Sequence, residues 1–107
     1  MIFVIGGAFQ DKTEFVKNKF NADEKDIYNN FHLKIRECME NNKDISEIAE
    51  TAAKYKYVVC DEVGSGIIPI NKFDREWRET VGRESCKMAA AADEVWRVVC
   101  GIGQRIK

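Results

Sequence analysis

The chain has 107 residues, of which 45% are hydrophobic and 33% are charged, so it is long enough to bury a core and suits one domain, residues 1–107. Its 17 Lys and Arg residues nearly balance its 18 Asp and Glu residues, which gives no electrostatic case for binding nucleic acid or an anionic membrane. Because no apolar run approaches the roughly 20 residues that span a bilayer, and no signal-peptide pattern is present, we expect a cytoplasmic protein.

The cysteine pattern argues against a metal site. Cys38, Cys60, Cys86 and Cys100 form no C-x-x-C pair, and the single histidine, His32, is not close in sequence to any two of them. Widely spaced cysteines of this kind do not match the ligand spacing of zinc sites. Reduced thiols in a cytoplasmic protein are therefore expected.

The first predicted element is an apolar strand, Met1–Ile5, followed by a loop that opens with glycines. From Gly6 to Thr13 the sequence follows the phosphate-binding pattern G-x-x-x-x-G-K-[ST], except that Asp11 replaces the second glycine. A helix predicted over Glu14–Phe20 completes the strand–loop–helix layout. In such a loop the backbone N–H groups surround an anion, the lysine reaches the terminal phosphates and the hydroxyl can bind Mg²⁺.

The motif predicts a nucleotide-binding set and leaves one alternative open. The predicted phosphate-binding residues are Gly6, Gly7, Ala8, Lys12 and Thr13, with Thr13 also a metal ligand. Asp11 stands where glycine would permit a backbone conformation that most residues resist, and it places a negative charge near the phosphates. The alternative is a turn that keeps only the shape of the motif.

Two helices are predicted next. Asn21–Glu24 resembles a helix start with acidic residues in its first turn. The helix that follows has one apolar stripe, formed by Ile27, Phe31, Ile35, Cys38 and Met39. Asp44 with Glu47 three residues later resembles a capping box for the second helix.

A second strand ends in adjacent acids. Tyr57–Cys60 is a short apolar run, and Asp61 and Glu62 follow it. Ligands gather at the carboxyl ends of strands in open α/β sheets, so an acid here can hold Mg²⁺ or orient a nucleophile. The alternative is a pair of acids that only keeps the strand end soluble.

A long helix is predicted between Asn71, its cap, and about Ala91. Trp77 marks its buried face, and we predict that Trp77 anchors the helix on the sheet or on a second subunit. Arg75 and Arg78 lie three residues apart and share one side of the helix. They are interpreted either as a solvated pair or as a clamp for an anion.

The last predicted elements are a strand, Val95–Cys100, a turn, Gly101–Gly103, and a short strand, Gln104–Lys107. Alternation of strands and helices predicts a mainly parallel sheet flanked by helices, with a short antiparallel edge strand at the C-terminus. The fold class is therefore α/β, similar to the P-loop nucleoside triphosphatases. We expect Met1–Ile5, Tyr57–Cys60 and Val95–Val99 to be neighbouring parallel strands.

Several segments resemble one family. Asp61–Pro69 resembles N-E-V-G-x-G-I-V-P, Ala89–Trp96 resembles A-A-A-A-D-E-V-W, and Gly6–Thr13 resembles G-G-A-R-S-G-K-S. These are motifs of the bifunctional adenosylcobinamide kinase / adenosylcobinamide-phosphate guanylyltransferase family of cobalamin biosynthesis. The resemblance covers residues 1–15 and roughly 55–107.

The resemblance implies substrates and roles. Members of the family phosphorylate adenosylcobinamide with a nucleoside triphosphate and then transfer GMP through a guanylylated histidine. The family's D-E…H-x-x-x-R arrangement is matched by Asp23 and Glu24, then His32, then Arg36, which makes His32 the implied nucleophile. The implied cofactor is Mg²⁺ with GTP or ATP, and Asp61 or Glu62 would serve the metal or act as a base.

The resemblance also leaves two functional hypotheses. The chain is shorter than family members between Arg36 and Tyr57. The first hypothesis is a kinase and guanylyltransferase that assembles as a homo-oligomer. The second is a degenerate homologue that binds a nucleotide, a corrinoid or a partner protein without turnover, and Asp11 favours it.

Overall fold

The computed structural model describes residues 1–64 and 70–107. Residues 65–69, the end of the family-like segment that begins at Asp61, lie outside the described residues. The strands are β1 (Ile2–Gly6), β2 (Ile27–Tyr28), β3 (Tyr57–Asp61), β4 (Glu94–Val99) and β5 (Ile102–Arg105). The helices are α1 (Lys12–Phe20), α2 (Phe31–Glu40), α3 (Ile45–Ala53) and α4 (Lys72–Ala91), and a 3₁₀ turn covers Glu24–Asp26.

The five strands form one sheet in the order β2-β3-β1-β4-β5. β1 pairs in parallel with β3 on one side and β4 on the other, whereas β5 pairs antiparallel with β4. The α/β class, the three neighbouring apolar strands and the antiparallel edge are thereby confirmed. The register sets Gly6 beside Asp61, so the loop after β1 and the acids at the end of β3 lie at the same edge of the sheet.

Helices cover both faces of the sheet. Successive side chains of each strand point to opposite faces, so neighbouring residues pack against different helices. Phe3 of β1 packs in a cluster with residues of α2, α3 and α4, while its neighbour Val4 packs with Val16 of α1. All three of these side chains are buried. One face therefore carries α1, and the other carries the remaining three helices.

The predicted helix start at Asn21–Glu24 is wrong. That segment leads into a 3₁₀ turn and then β2, where Ile27 pairs with Tyr57. Asn30 has a left-handed backbone, with φ of 55°, and α2 begins only at Phe31. Ile27 fits the helical stripe because it lies four residues before Phe31, a spacing that a buried strand residue can share by chance.

The final hairpin is also shifted from its prediction. The turn is Cys100-Gly101, with φ of 52° and 76°, and β5 follows it directly at Ile102 instead of beginning at Gln104. A two-residue turn with positive φ at both positions is the type I′ geometry that suits the twist of a hairpin. Cys100 is consequently an exposed turn residue, and not the last residue of a strand.

Asn71 and Asp44 are confirmed as helix-capping residues. The side chain of Asn71 accepts hydrogen bonds from Phe73 N at 2.8 Å and Asp74 N at 3.3 Å at the start of α4. Asp44 accepts one from Ser46 N at 3.0 Å at the start of α3. Within residues 1–64 and 70–107, no helix is long and apolar enough to cross a membrane.

Candidate functional site

The loop between β1 and α1 has a left-handed residue at the position where the motif has its second glycine. Asp11 adopts a left-handed conformation, with φ of 60° and ψ of 38°, which is the region that the usual glycine would occupy freely. Aspartate is among the non-glycine residues that tolerate this region best. Because α1 begins at Lys12, the first-turn N–H groups lack intrahelical partners at the carboxyl edge of the sheet.

Gly6 has a packing role in this loop. A Cβ atom at Gly6 would lie 2.4 Å from the carbonyl oxygen of Val98. The absence of a side chain therefore lets the end of β1 approach β4. Gly7 contributes its carbonyl oxygen, which accepts a hydrogen bond of 2.6 Å from Lys12 Nζ.

Lys12 is a buried cation. Its side chain is 7% exposed, and Nζ lies 2.7 Å from Asp61 Oδ1. Ammonium groups are seldom buried without a partner, and the Asp61 carboxylate and the Gly7 carbonyl supply two. The structure thus brings Lys12 and Asp61 together. The sequence linked them only through the strand-end rule, which is that ligands bind at the carboxyl ends of strands in open α/β sheets.

His32 joins the same pair from the first turn of α2. The backbone N–H of Asp61 donates to His32 Nδ1 at 3.1 Å, and His32 Nε2 lies 3.3 Å from Asp61 Oδ2. Since Nδ1 accepts a hydrogen bond, the ring hydrogen is on Nε2. Burial lowers the pKa of His32; the Asp61 carboxylate opposes that shift and Lys12 adds to it.

The hydroxyl of Thr13 is oriented by a residue that the sequence did not single out. Thr13 Oγ1 donates to Asn29 Oδ1 at 3.0 Å, and this leaves the oxygen lone pairs available to a cation. Asn29 lies in the short connection between β2 and α2. Its sequence signal is weak, because Asn29 and Asn30 resemble any polar turn.

These groups line one open cleft of about 320 Å³. Ala8, Lys12, Thr13, His32 and Asp61 all contribute to its wall. The cleft lies at the carboxyl ends of β1 and β3, where ligands bind in open α/β sheets. It combines a cation, a hydroxyl and the N-terminus of α1, a set of groups suited to phosphate.

Glu62 takes a different direction from Asp61. Its carboxylate pairs with the guanidinium of Arg97 on β4, with contacts of 3.1 Å from Nε and 3.4 Å from Nη2. Its predicted role as a base stays a prediction.

Gln10 connects the loop to the final hairpin, because its Oε1 accepts from Cys100 N and its carbonyl accepts from Gly101 N.

Comparison with known proteins identifies the relatives of the chain. Residues 2–106 match the family model described as cobinamide kinase / cobinamide phosphate guanyltransferase. The chain belongs to this family. It is 54% identical over 50 residues to the bifunctional adenosylcobalamin biosynthesis protein CobU of Salmonella typhimurium strain LT2, and 50% identical over 50 residues to the protein of the same name of Escherichia coli strain K12. In both cases the aligned segment covers 47% of this chain and 28% of the relative.

Membership of the cobinamide kinase / cobinamide phosphate guanyltransferase family confirms the resemblance drawn from the motifs. The family match also runs through residues 16–54, which lie between the two segments that carry the resemblance. Among the described residues, no three His, Cys, Asp or Glu side chains cluster as a metal site. All four cysteines are free thiols.

The structure does not decide whether Arg75 and Arg78 on α4 form a solvated pair or a clamp for an anion. The guanidinium of Arg75 donates to the carbonyl oxygen of Ile70, next to the undescribed segment 65–69. Arg78, one turn further along, has a partner as well. Neither arginine lines the cleft among the residues that the structure describes there.

Proposed function

We propose that the chain binds a magnesium nucleoside triphosphate in this cleft and takes part in the nucleotide-dependent modification of adenosylcobinamide in cobalamin biosynthesis. The observation that carries the proposal is the buried ammonium of Lys12, 2.7 Å from Asp61, in the first turn of α1. This is a fixed cation beside a helix N-terminus, and both favour an anion.

Lys12 would exchange one anionic partner for another when a nucleotide binds. In the structure its charge is balanced by Asp61 Oδ1. Phosphate oxygens present the same chemistry to an ammonium group and carry more charge. A triphosphate that reaches Lys12 therefore frees an oxygen of Asp61 for a second task.

That second task is proposed to be metal binding. Mg²⁺ takes oxygen ligands, keeps several waters and commonly uses only one or two protein groups beside the phosphates. The Thr13 hydroxyl, with its hydrogen directed to Asn29, and the Asp61 carboxylate fit this requirement. When bound, the ion would neutralise charge on the phosphates.

Transfer of GMP is the second candidate function. Its support is that His32, the implied acceptor, lines the same cleft as Lys12. Attack on a nucleotide requires an unoccupied nitrogen lone pair. Because Nδ1 accepts from Asp61 N, the ring would have to leave Asp61 before this step.

Cytoplasmic location and self-association are part of the proposal. The four free thiols agree with a reducing compartment. The edge strand β5 and the tail that follows it expose Ile102 and Ile106. A sheet edge that no described strand covers, with apolar side chains, is a surface on which another copy can pair.

A transfer assay tests the proposed function. The chain is incubated with adenosylcobinamide, Mg²⁺ and ATP or GTP that carries label in the γ-phosphate. We expect label on the corrinoid with the wild type, none with Lys12→Ala, and wild-type transfer with Lys17→Ala, a control on the same helix. Absence of transfer with either nucleotide, in a folded protein that binds nucleotide, would leave the binding-only hypothesis.

A further inference from the structure

Both ring nitrogens of His32 contact the same residue, Asp61. Nδ1 accepts the backbone N–H of Asp61 at 3.1 Å, and Nε2 lies 3.3 Å from Oδ2 of the same residue. The first contact fixes the ring relative to the end of β3. The second sets the side chain of Asp61 relative to the ring.

The same carboxylate is held from its other side. Asp61 Oδ1 lies 2.7 Å from Lys12 Nζ, and Nζ also donates to the Gly7 carbonyl at 2.6 Å. One oxygen of Asp61 therefore contacts the lysine and the other contacts the histidine. A carboxylate held at both oxygens has little freedom to change its rotamer.

We propose that His32 is a positioning residue, which holds the Asp61 carboxylate in place for the nucleotide site. This role rests on the proposed nucleotide site. It gives a purpose to both ring nitrogens, whereas the carrier role requires one of them to be released.

The backbone at His32 is itself immobilised. Trp77 Nε1 on α4 donates to the carbonyl oxygen of His32 at 2.8 Å. Phe31 and Ile35, on the same helix, are fully buried in the core. Because the helix is fixed in the core, movement of the ring away from Asp61 would lose both contacts. The hydrogen bond from Trp77 also connects α4 to the nucleotide site through His32.

Nuclear magnetic resonance tests the arrangement directly in the wild type. His32 is the only histidine in the chain, so protein labelled with ¹⁵N-histidine gives the signals of one imidazole ring. We expect a neutral ring with hydrogen on Nε2 and none on Nδ1. Hydrogen on Nδ1, or a ring that exchanges rapidly between the two forms, would overturn the proposal.

Binding of MgATP to variants tests the consequence. His32→Gln keeps an N–H donor for Asp61, and His32→Leu keeps the volume without a polar atom. We expect His32→Leu to weaken binding by about tenfold or more, the effect of a lost hydrogen bond to a charged group, and His32→Gln to restore most of it. Lys34→Gln, on the exposed side of α2, is the control and should bind as the wild type does.

Two outcomes would contradict the positioning role. One is a folded His32→Leu protein that binds MgATP as tightly as the wild type. The other is acid-labile, base-stable label on His32 after incubation with GTP labelled in its α-phosphate, which would establish the carrier role. If the wild type binds no nucleotide at all, the proposed function fails, and the tautomer of His32 alone then decides whether the ring holds Asp61.

Discussion

Lys12 and Asp61 form an ion pair of 2.7 Å across the carboxyl ends of β1 and β3. The pair exists because parallel neighbours end at the same edge of the sheet, so residues distant in sequence follow adjacent strands. It places a cation and an acid in one cleft, with His32 against the second oxygen of the acid.

Asp61→Asn should separate two effects of this acid. Removing its charge frees Lys12 from a competing anion, so we expect nucleotide to bind more tightly without Mg²⁺. The same change removes a metal ligand, so the gain in affinity on adding Mg²⁺ should be largely lost. Calorimetric titration of ATP with and without Mg²⁺ measures both effects.

The control for this variant is Glu50→Gln, which removes a carboxylate from the exposed surface of α3. It should bind nucleotide as the wild type does under both conditions. If Asp61→Asn retains the full enhancement by Mg²⁺, Asp61 is not a metal ligand and the assignment of that role is wrong.

Substitutions at Asp11 test how far the altered motif limits binding. An aspartate side chain strains the left-handed backbone that glycine would adopt freely, and its charge repels phosphate. We expect Asp11→Gly to tighten nucleotide binding by about tenfold, or about 1.4 kcal/mol, and Lys12→Ala to abolish that gain. The dissociation constants of the variants, measured by calorimetry, check this.

Asp11→Asn is the matched control, because asparagine tolerates the left-handed region and carries no charge. A gain with Asn equal to that with Gly would assign the effect to charge, and a gain with Gly alone would assign it to the backbone. If neither variant binds nucleotide better than the wild type while remaining folded, the loop keeps only the shape of the motif and does not bind phosphate.

Trp77 is expected to stabilise the protein through α2. Its indole packs at the edge of the core, and Nε1 donates to the His32 carbonyl at 2.8 Å. The sequence predicts an anchor on the sheet or on a second subunit, and the structure adds a hydrogen bond to α2. Trp77→Ala should lower the free energy of unfolding by about 3 kcal/mol, and Trp77→Phe by about 1 kcal/mol.

Urea denaturation measures these two changes. The loss in Trp77→Phe reports the hydrogen bond, because an aromatic ring is kept. The further loss in Trp77→Ala reports the burial of the ring. Unfolding of Trp77→Ala at the wild-type urea concentration would show that the indole does not stabilise α4.

The four thiols are predicted to differ in reactivity. Burial raises the pKa of Cys60 to about 12 and also raises that of Cys38, so the reactive thiolate is scarce at both near neutral pH. Cys86 and Cys100 are exposed. Iodoacetamide should therefore alkylate Cys86 and Cys100 in the native protein, and all four only after unfolding, as mass spectrometry can determine.

Labelling of Cys60 in the native state at a rate near that of Cys86 would contradict the burial of β3 between two helical layers. Cys86 serves as the internal reference for that comparison, since it lies on the exposed surface of α4 in the same molecule.

The framework of the sheet could be predicted because β1, β3 and β4 are short apolar runs separated by helical patterns. The strand β2 could not, since its two residues carry no pattern of their own and Ile27 fits the helical spacing of Phe31. Its pairing with Tyr57 is a long-range contact, which local sequence does not encode.

The site could be predicted in part for the same reason. The strand-end rule connected Asp61 with the phosphate loop, and the motif identified Lys12 and Thr13. The contact of His32 with Asp61 depends on where α2 packs, and that is fixed by Phe31 and Ile35 in the core. The link from Asn29 to Thr13 likewise follows from the unpredicted strand β2.

Calorimetric titration with GTP, ATP and adenosylcobinamide, each with and without Mg²⁺, shows whether the cleft is a nucleotide site. We predict that a nucleoside triphosphate binds, that Mg²⁺ strengthens its binding, and that Lys12→Ala abolishes binding while Lys17→Ala, a control on the same helix, does not. Absence of nucleotide binding in the folded wild type, or equal binding by the wild type and Lys12→Ala, would contradict the assignment of the cleft as a nucleotide site.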